Sequence, residues 1–365
     1  MFVSWTLTRY LSRQFFMAVT AAFIICLAIV FLADMVELLR RTANKEGITF
    51  ATVLTMALLR LPNLGIQLLP FAVLLGGMAS LLRLSRSSEL VVTRAAGISA
   101  WQFLAPALCV AFAIGVFSIT VYNPIAATLT GRFEQLEARY IKGKASLLSV
   151  AETGLWLREA TNSGKTVVHA LRGSQANKIQ LREVIVFQYA PDDSFAGRID
   201  AEAAALEAGF WTLTNAWVTE PDEPSRFYET YRLPTDLQKE QVQESFAGPE
   251  TISFWDLPHF IAVADKAGFS VLRHRIHLHS LISSPFLLCT MVIVAAIFSM
   301  RISRLGGFGQ LVLGAIFSGF VFFFFTKLSL ALGSSGIIPP FLAAWAPAIF
   351  TALVGLAALF HLEDG

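Results

Sequence analysis

Three closely spaced histidines, His274, His277 and His279, are the first residues whose types could do chemistry. Imidazole is a common metal ligand, but a helix would place only His274 and His277 on one face. Arg273 and Arg275 flank the pair and would repel a bound cation. We therefore expect no metal site here and interpret the run as a basic belt beside an apolar segment.

The sequence also offers little for nucleotide binding or for acid–base catalysis. No GxxxxGK[ST] phosphate loop occurs, so the sequence predicts that this chain neither hydrolyses ATP by itself nor binds a cofactor. Asp34 and Glu37 are the only close acidic pair near a predicted membrane surface, as a lipid-modifying enzyme would require. The formal net charge of +2 is too small to indicate a nucleic-acid partner.

A group of cations inside or beside apolar stretches is more informative. The group consists of Arg40, Arg41, Arg60, Arg132 and Lys327. Placing such a charge at mid-bilayer costs roughly 2.5–3.5 kcal/mol even on the lenient insertion scale, so it is by default a functional hypothesis. Guanidinium groups also suit bidentate phosphate contacts. The pattern predicts binding of a phosphorylated amphiphile, although Arg60 and Lys327 lie close enough to helix ends to snorkel instead.

The elements that must position these residues follow from composition. The chain has 365 residues, 55% hydrophobic and 15% charged, whereas a soluble domain is about 25% charged. A membrane-crossing helix needs about 20 mostly apolar residues. Six stretches meet this length: 15–38, 53–82, 101–129, 276–300, 308–332 and 338–360. Cys26, Cys109 and Cys289 all lie in apolar runs, which argues against a disulfide framework.

Short-loop charges predict the orientation of these spans. One side carries seven basic residues: Arg9, Arg13, Arg83, Arg86, Arg94, Arg301 and Arg304. The other side carries three: Arg40, Arg41 and Lys45. The positive-inside rule then places both termini in the cytoplasm and the long middle segment outside.

The pattern of the middle segment predicts a separate β domain. Short alternating runs with β-rich composition occur at 154–158, 166–171, 184–189, 210–213 and 227–231, with turn signals at 162–164 and 191–193. Such spacing predicts a sandwich or jelly roll. After Pro249 the pattern becomes helical, and Gly268 is expected to end that helix. We predict membrane helices over 1–130 and 273–365, and an inserted domain over 131–272.

A short amphipathic helix is predicted at about 84–100, between the second and third spans. Ser87 or Ser88 can cap it, Glu89 suits its positive end, and Gly97 can close it. Such a helix could dock a cytoplasmic motor or could simply lie at the membrane surface.

Five strings carry a further signal: Leu69–Gly76, Ser88–Ser99, Ser146–Ser149, Gly154–Trp156 and Gly336–Pro340. They resemble the permease subunits of the lipopolysaccharide exporter, the LptF/LptG family. The resemblance covers the whole chain, and Asp34–Arg41 favours the LptG branch over the LptF branch. It implies a polytopic α-helical membrane protein of six spans with an inserted all-β jelly-roll periplasmic domain in the inner membrane of a Gram-negative bacterium.

The resemblance also implies partners and residue roles. The partners would be a second permease of LptF type, a dimeric ATPase of LptB type carrying ATP and Mg²⁺, an LptC-type adaptor, an LptA-type bridge protein, and lipopolysaccharide. Glu89 would contact the ATPase, together with Arg86, Leu90 and Arg94 on the same segment. Arg40, Arg41 and Arg132 match family positions that contact lipid phosphates, but Asp34 stands where relatives can carry a lysine. A sensor or scaffold and a lipid-modifying enzyme remain the alternatives.

Overall fold

A computed structural model describes residues 5–43, 48–87, 89–95, 99–142, 148–151, 154–161, 164–174, 180–190, 194–207, 209–221, 223–235, 248–266, 270–301 and 308–363. These residues form two compact units. The first comprises 1–133, 253–255 and 275–365, and the second comprises 134–252 and 256–274.

The first unit is helical. Its helices are α1 (Trp5–Thr42), α2 (Phe50–Arg86), α3 (Glu89–Ala95), α4 (Ala100–Phe117), α5 (Asn123–Glu137, which reaches into the second unit), α7 (Leu272–Arg301), α8 (Phe308–Ser334) and α9 (Pro340–Glu363). Within the described residues, six spans are long and apolar enough to cross a membrane, and α4 and α5 together form the third. The six predicted spans are confirmed.

Small residues allow these helices to approach closely. A Cβ added at Gly76 in α2 would lie 2.5 Å from the Cα of Val19 in α1. A Cβ added at Gly115 in α4 would lie 2.5 Å from the Cα of Pro285 in α7. Glycine is needed at both positions because the facing atoms are backbone atoms, as is common where membrane helices pack.

A π-helical segment, Ser118–Tyr122, joins α4 to α5. Such a segment disturbs the regular helical hydrogen bonds and frees backbone carbonyls. Here the indole Nε1 of Trp255 donates to the carbonyl oxygen of Thr120 at 3.1 Å. The backbone N–H of Phe254 donates to Asn123 Oδ1 at 2.8 Å. Both bonds tie residues 253–255 to the third span.

The second unit contains an antiparallel sheet of seven strands in chain order. The strands are β1 (Leu148–Ala151), β2 (Gly154–Thr161), β3 (Gly164–Ser174), β4 (Gln180–Tyr189), β5 (Phe195–Glu207), β6 (Phe210–Thr219) and β7 (Arg226–Pro234). The inserted antiparallel β domain is confirmed. Its described strands follow one another as a meander, whereas a strict jelly roll has Greek-key crossings. Of the turns predicted at 162–164 and 191–193, residues 162–163 and 191–193 lie outside the described residues.

A crease crosses this sheet. Residues 171, 183, 202, 215 and 229 oppose one another across β3–β7 and are skipped in the strand pairing. On β4, β5 and β6 the buried positions nearest the crease are three residues apart, and on β5 the buried positions follow period two on either side of it. Glu183 and Asn215 adopt positive φ angles of 53° and 52° there. The crease lets both halves of one sheet turn their apolar residues toward a single core.

The sheet curls enough for a residue at the end of β7 to reach β2. The hydroxyl of Thr235, just after β7, donates to Glu159 Oε2 in β2 at 2.6 Å. Small residues line much of the enclosed core, among them Ala170, Ala201 and Ala216. After the sheet, helix α6 (Leu257–Lys266) forms as predicted, whereas Gly268 lies outside the described residues.

Candidate functional site

Arg60 and Asp34 form an ion pair between the first two spans. Asp34 lies eight residues before the end of α1, and Arg60 lies ten residues after the start of α2. At 1.5 Å per residue these positions are about 12 and 15 Å from the adjoining helix ends. Arg60 Nη1 donates to Asp34 Oδ1 at 2.6 Å. The antiparallel helices thus bring two sequence-distant charges to the same level.

Phe133 connects this pair to the end of the third span. The guanidinium carbon of Arg60 lies 5.4 Å from the centre of the Phe133 ring, and Phe133 itself is buried. A cation over an aromatic face is attracted by the ring quadrupole. Arg132, the neighbour of Phe133, is exposed. The contacts of Arg60 therefore connect α1, α2 and α5. We give the name basic cluster to Asp34, Glu37, Arg40, Arg41, Arg60 and Arg132, the last because it precedes Phe133 in the chain.

Glu37 pairs with both arginines at the end of α1. Arg41 Nε donates to Glu37 Oε1 at 2.7 Å, and Arg40 Nε donates to Glu37 Oε2 at 2.9 Å. These pairs join residues three and four apart on one helix, so they hold both guanidinium groups near the helix end. One carboxylate faces two cations, which leaves a positive charge at this end of α1.

Arg132 and Lys327 differ from the other three predicted phosphate ligands. Neither has a carboxylate partner within the part of the chain that the structure describes. Lys327 is exposed on α8 and lies 5.3 Å above the ring of Phe323. Phe323 in turn packs against Phe71 of α2, with ring centres 5.9 Å apart. An incoming anion would meet no carboxylate partner from the described residues at these two cations.

The acidic pair predicted for an enzymatic alternative is engaged in these contacts. Asp34 is bonded to Arg60, and Glu37 is bonded to Arg40 and Arg41. Both oxygens of Glu37 and one oxygen of Asp34 accept hydrogen bonds from guanidinium groups. Their geometry serves ion pairing better than general acid–base catalysis.

The predicted amphipathic helix is present in shorter form as α3, between the second and third spans. Its first residue, Glu89, accepts hydrogen bonds at Oε1 from the Ser87 hydroxyl at 2.9 Å and from the Tyr10 hydroxyl at 3.4 Å. Ser87 ends α2, since its backbone N–H donates to the Arg83 carbonyl. Ser88, the other predicted cap, lies outside the described residues. Ser99 caps the next helix, α4, with a reciprocal bond to Gln102.

A groove adjoins this junction. It has a volume of about 480 Å³ and is lined by Ala79, Leu82, Arg83, Arg86 and Ser87. Arg86 is exposed at the end of α2. Leu90 and Arg94 lie on α3, but their side chains are outside the described residues. The structure therefore brings Arg86 and Glu89 to one junction between consecutive helices.

Two of the three histidines pack against aromatic rings. The His274 ring packs 4.8 Å from the Phe260 ring, and the His279 ring meets Phe341 edge-on at 5.8 Å. Within the described residues, no group of three His, Cys, Asp or Glu side chains has the geometry of a metal site.

Two contacts at these sites were not predicted from the sequence. Tyr10 lies 79 residues from Glu89 along the chain, and Asp34 lies 26 residues from Arg60. The acidic residue inside a predicted span was the one available signal for the second contact. No local pattern marks Tyr10.

Six membrane helices and an inserted antiparallel β domain define a polytopic membrane protein in which the basic cluster joins three helices. The chain belongs to the lipopolysaccharide export system permease LptF/LptG family, whose model matches residues 9–361. It is therefore a permease subunit of a lipopolysaccharide export system and is embedded in the membrane.

Two relatives support this assignment. The chain is 23% identical over 297 residues to the lipopolysaccharide export system permease protein LptG of Escherichia coli, covering 79% of each chain. It is 22% identical over 359 residues to the LptG protein of Haemophilus influenzae, covering 96% of this chain and 94% of the relative. Both relatives carry the LptG name, in agreement with the predicted LptG-like character.

Proposed function

We propose that this permease extracts lipopolysaccharide from the outer leaflet of the inner membrane and passes it through its β domain to a periplasmic bridge. In the orientation that this proposal requires, both termini are cytoplasmic and the β domain is periplasmic. The observation that carries the proposal is the family match over residues 9–361, which spans both the helices and the β domain.

The basic cluster and Lys327 supply the headgroup site in this proposal. Arg132 and Lys327 are the primary phosphate ligands because they have no carboxylate partner among the described residues. Phosphate also binds Arg40, Arg41 and Arg60 once their hydrogen bonds to Glu37 and Asp34 have broken. Acyl chains then lie against the exposed Phe- and Leu-rich faces of the spans, and the alanine-lined core of the β domain receives the lipid.

Energy for transport comes from a separate subunit in this proposal. A dimeric ATPase of LptB type binds ATP and Mg²⁺ and docks at α3 through Glu89, with Arg86, Leu90 and Arg94 beside it. A second permease of LptF type completes the transport cavity. An LptC-type adaptor and an LptA-type bridge protein carry the lipid onward.

Affinity purification of the tagged chain in mild detergent tests this assembly. We expect an ATPase, a second permease and lipopolysaccharide to co-elute, and we expect the reconstituted complex to release lipopolysaccharide to a bridge protein only with ATP. Lipid turnover by the purified chain without an ATPase partner would instead support an enzyme. Two results together would contradict the proposal: the tagged chain is purified without any partner, and cells that lack the chain still export lipopolysaccharide normally.

A further inference from the structure

The ion pair between Asp34 and Arg60 leaves part of the carboxylate unused. The side chain of Asp34 is 9% exposed, and its Oδ1 atom lies 2.6 Å from Arg60 Nη1. The other oxygen, Oδ2, is buried and has no hydrogen-bond partner among the described residues. An ionised carboxylate can accept about four hydrogen bonds. This carboxylate is therefore under-satisfied and depends on Arg60 for its compensation.

Arg60 is in the opposite situation. Its side chain is 34% exposed, and one face of the guanidinium lies over Phe133. A guanidinium has five N–H donors in a planar fork, and the structure records a bond to Asp34 from one nitrogen only. Arg60 can therefore turn from Asp34 to a second anion while Phe133 keeps it at the same level.

We propose that Asp34 is a built-in competitor for the phosphate that Arg60 binds, so that one residue limits how long the lipid is held. This inference rests on the proposed function, because the competing anion is a lipopolysaccharide phosphate. In the empty transporter Asp34 occupies Arg60. When phosphate takes Arg60, it leaves a buried carboxylate without compensation, which is an unfavourable state. That penalty favours release, and transport requires binding weak enough for the substrate to leave.

The size of the effect depends on how often the pair is closed. When the binding-competent state is a fraction of the population, the apparent dissociation constant rises by the inverse of that fraction. A pair closed about nine-tenths of the time would weaken binding about tenfold. Removing the charge of Asp34 should recover that factor.

The experiment uses the complete transporter in lipid nanodiscs and fluorescently labelled lipopolysaccharide. Asp34→Asn should bind the lipid up to about tenfold more tightly and release it more slowly without ATP. Arg60→Gln should bind it more weakly. The double variant should behave as Arg60→Gln alone, because Asp34 acts only through Arg60. Asp34→Glu is the matched control and should remain close to the unmodified protein, since it keeps the competing charge.

The two single variants separate competition from a purely structural role. If the pair only held α1 against α2, both variants would weaken binding or assembly, and this shared direction would overturn the inference. Failure of Asp34→Asn alone to assemble would overturn it as well. With a lipid whose phosphates have been removed, Asp34→Asn should bind no more tightly than the unmodified transporter. Absence of any lipopolysaccharide binding by the unmodified transporter would instead contradict the proposed function.

Discussion

Arg132 is the cation of the basic cluster whose charge is least compensated within the described residues. We expect Arg132→Gln to weaken lipopolysaccharide binding by about 1.5–3 kcal/mol, the usual contribution of a hydrogen bond to a charged group. Arg40→Gln is the matched control and should have a smaller effect, because Arg41 lies at the same helix end and can partly substitute for it. Photocrosslinking and co-purified lipid measure the loss.

Salt provides a second check on Arg132. The exposed part of its attraction should weaken as ionic strength rises, since charges are screened over about 8 Å at physiological salt. Full lipid occupancy in a triple Arg40, Arg41 and Arg132 to Ala variant would show that these residues only anchor the helices and set the topology.

Glu89 should matter for coupling more than for insertion. We expect Glu89→Ala to reduce ATPase co-purification and transport, because losing one partner of a buried charged contact costs roughly 2–5 kcal/mol. Tyr10→Phe should have a milder effect in the same direction, since its hydroxyl lies at the long distance of 3.4 Å from Glu89. Normal membrane levels of both variants are the control. Unchanged ATPase recovery with Glu89→Ala would contradict the assigned role.

At the scale of elements, neighbouring glycines in α2 make a matched pair. A Cβ at Gly76 would meet the Val19 backbone at 2.5 Å, whereas a Cβ at Gly77 would meet side-chain atoms of Phe15 and Ala295 at 3.2 and 3.3 Å. Gly76→Ala should therefore destabilise the protein by about 1–3 kcal/mol, the cost of overpacking. Gly77→Ala should cost less. Thermal unfolding in detergent measures both, and equal midpoints would show that α1 and α2 separate easily.

The crease offers a similar comparison in the β domain. Asn215 has φ of 52° and donates to Glu202 at 2.7 Å. Asn215→Val should destabilise the domain by roughly 1–2 kcal/mol, because β-branched residues are strained at positive φ. Thr214→Val, at an adjacent exposed position, should be nearly neutral. Limited proteolysis of the intact protein measures the difference, and similar sensitivity of the two variants would argue against strain at Asn215.

Strand β5 shows where sequence reasoning reaches its limit. Its residues 201–206 are four alanines, one glutamate and one leucine, all of which favour helix, and no strand was predicted there. Pairing with β4 on one side and β6 on the other overrides that local preference. The crease was missed for a related reason, because a shift of alternation shows only when neighbouring strands are aligned.

At the scale of the whole molecule, the six spans followed from length and hydrophobicity because a bilayer imposes both. The basic residues of the candidate site were also identifiable, since charges in apolar segments are conspicuous. The carboxylate partner of Arg60 was not predictable, because its pairing with Asp34 depends on how α1 packs against α2.

Orientation is testable in intact cells. In a variant without Cys26, Cys109 and Cys289, a single cysteine at Ser225 should react with a membrane-impermeant maleimide added from the periplasm. A cysteine at Arg83 should react only after the inner membrane is opened. The positive-inside rule gives this expectation, and the reverse labelling pattern would invert the proposed transport direction.

The π-helical segment Ser118–Tyr122 changes which way the side chains after it face around the axis of the third span. A π-bulge accommodates one extra residue, and one residue of an α-helix corresponds to a rotation of about 100°. The side chains of α5, including Arg132 and Phe133, are thus turned by about that angle relative to an uninterrupted helix. A one-residue deletion within 118–122 would rotate Phe133 away from Arg60 while leaving every side chain of the basic cluster intact. Insertions and deletions at this point in relatives would therefore change which face of the helix presents its cation, without any change in composition.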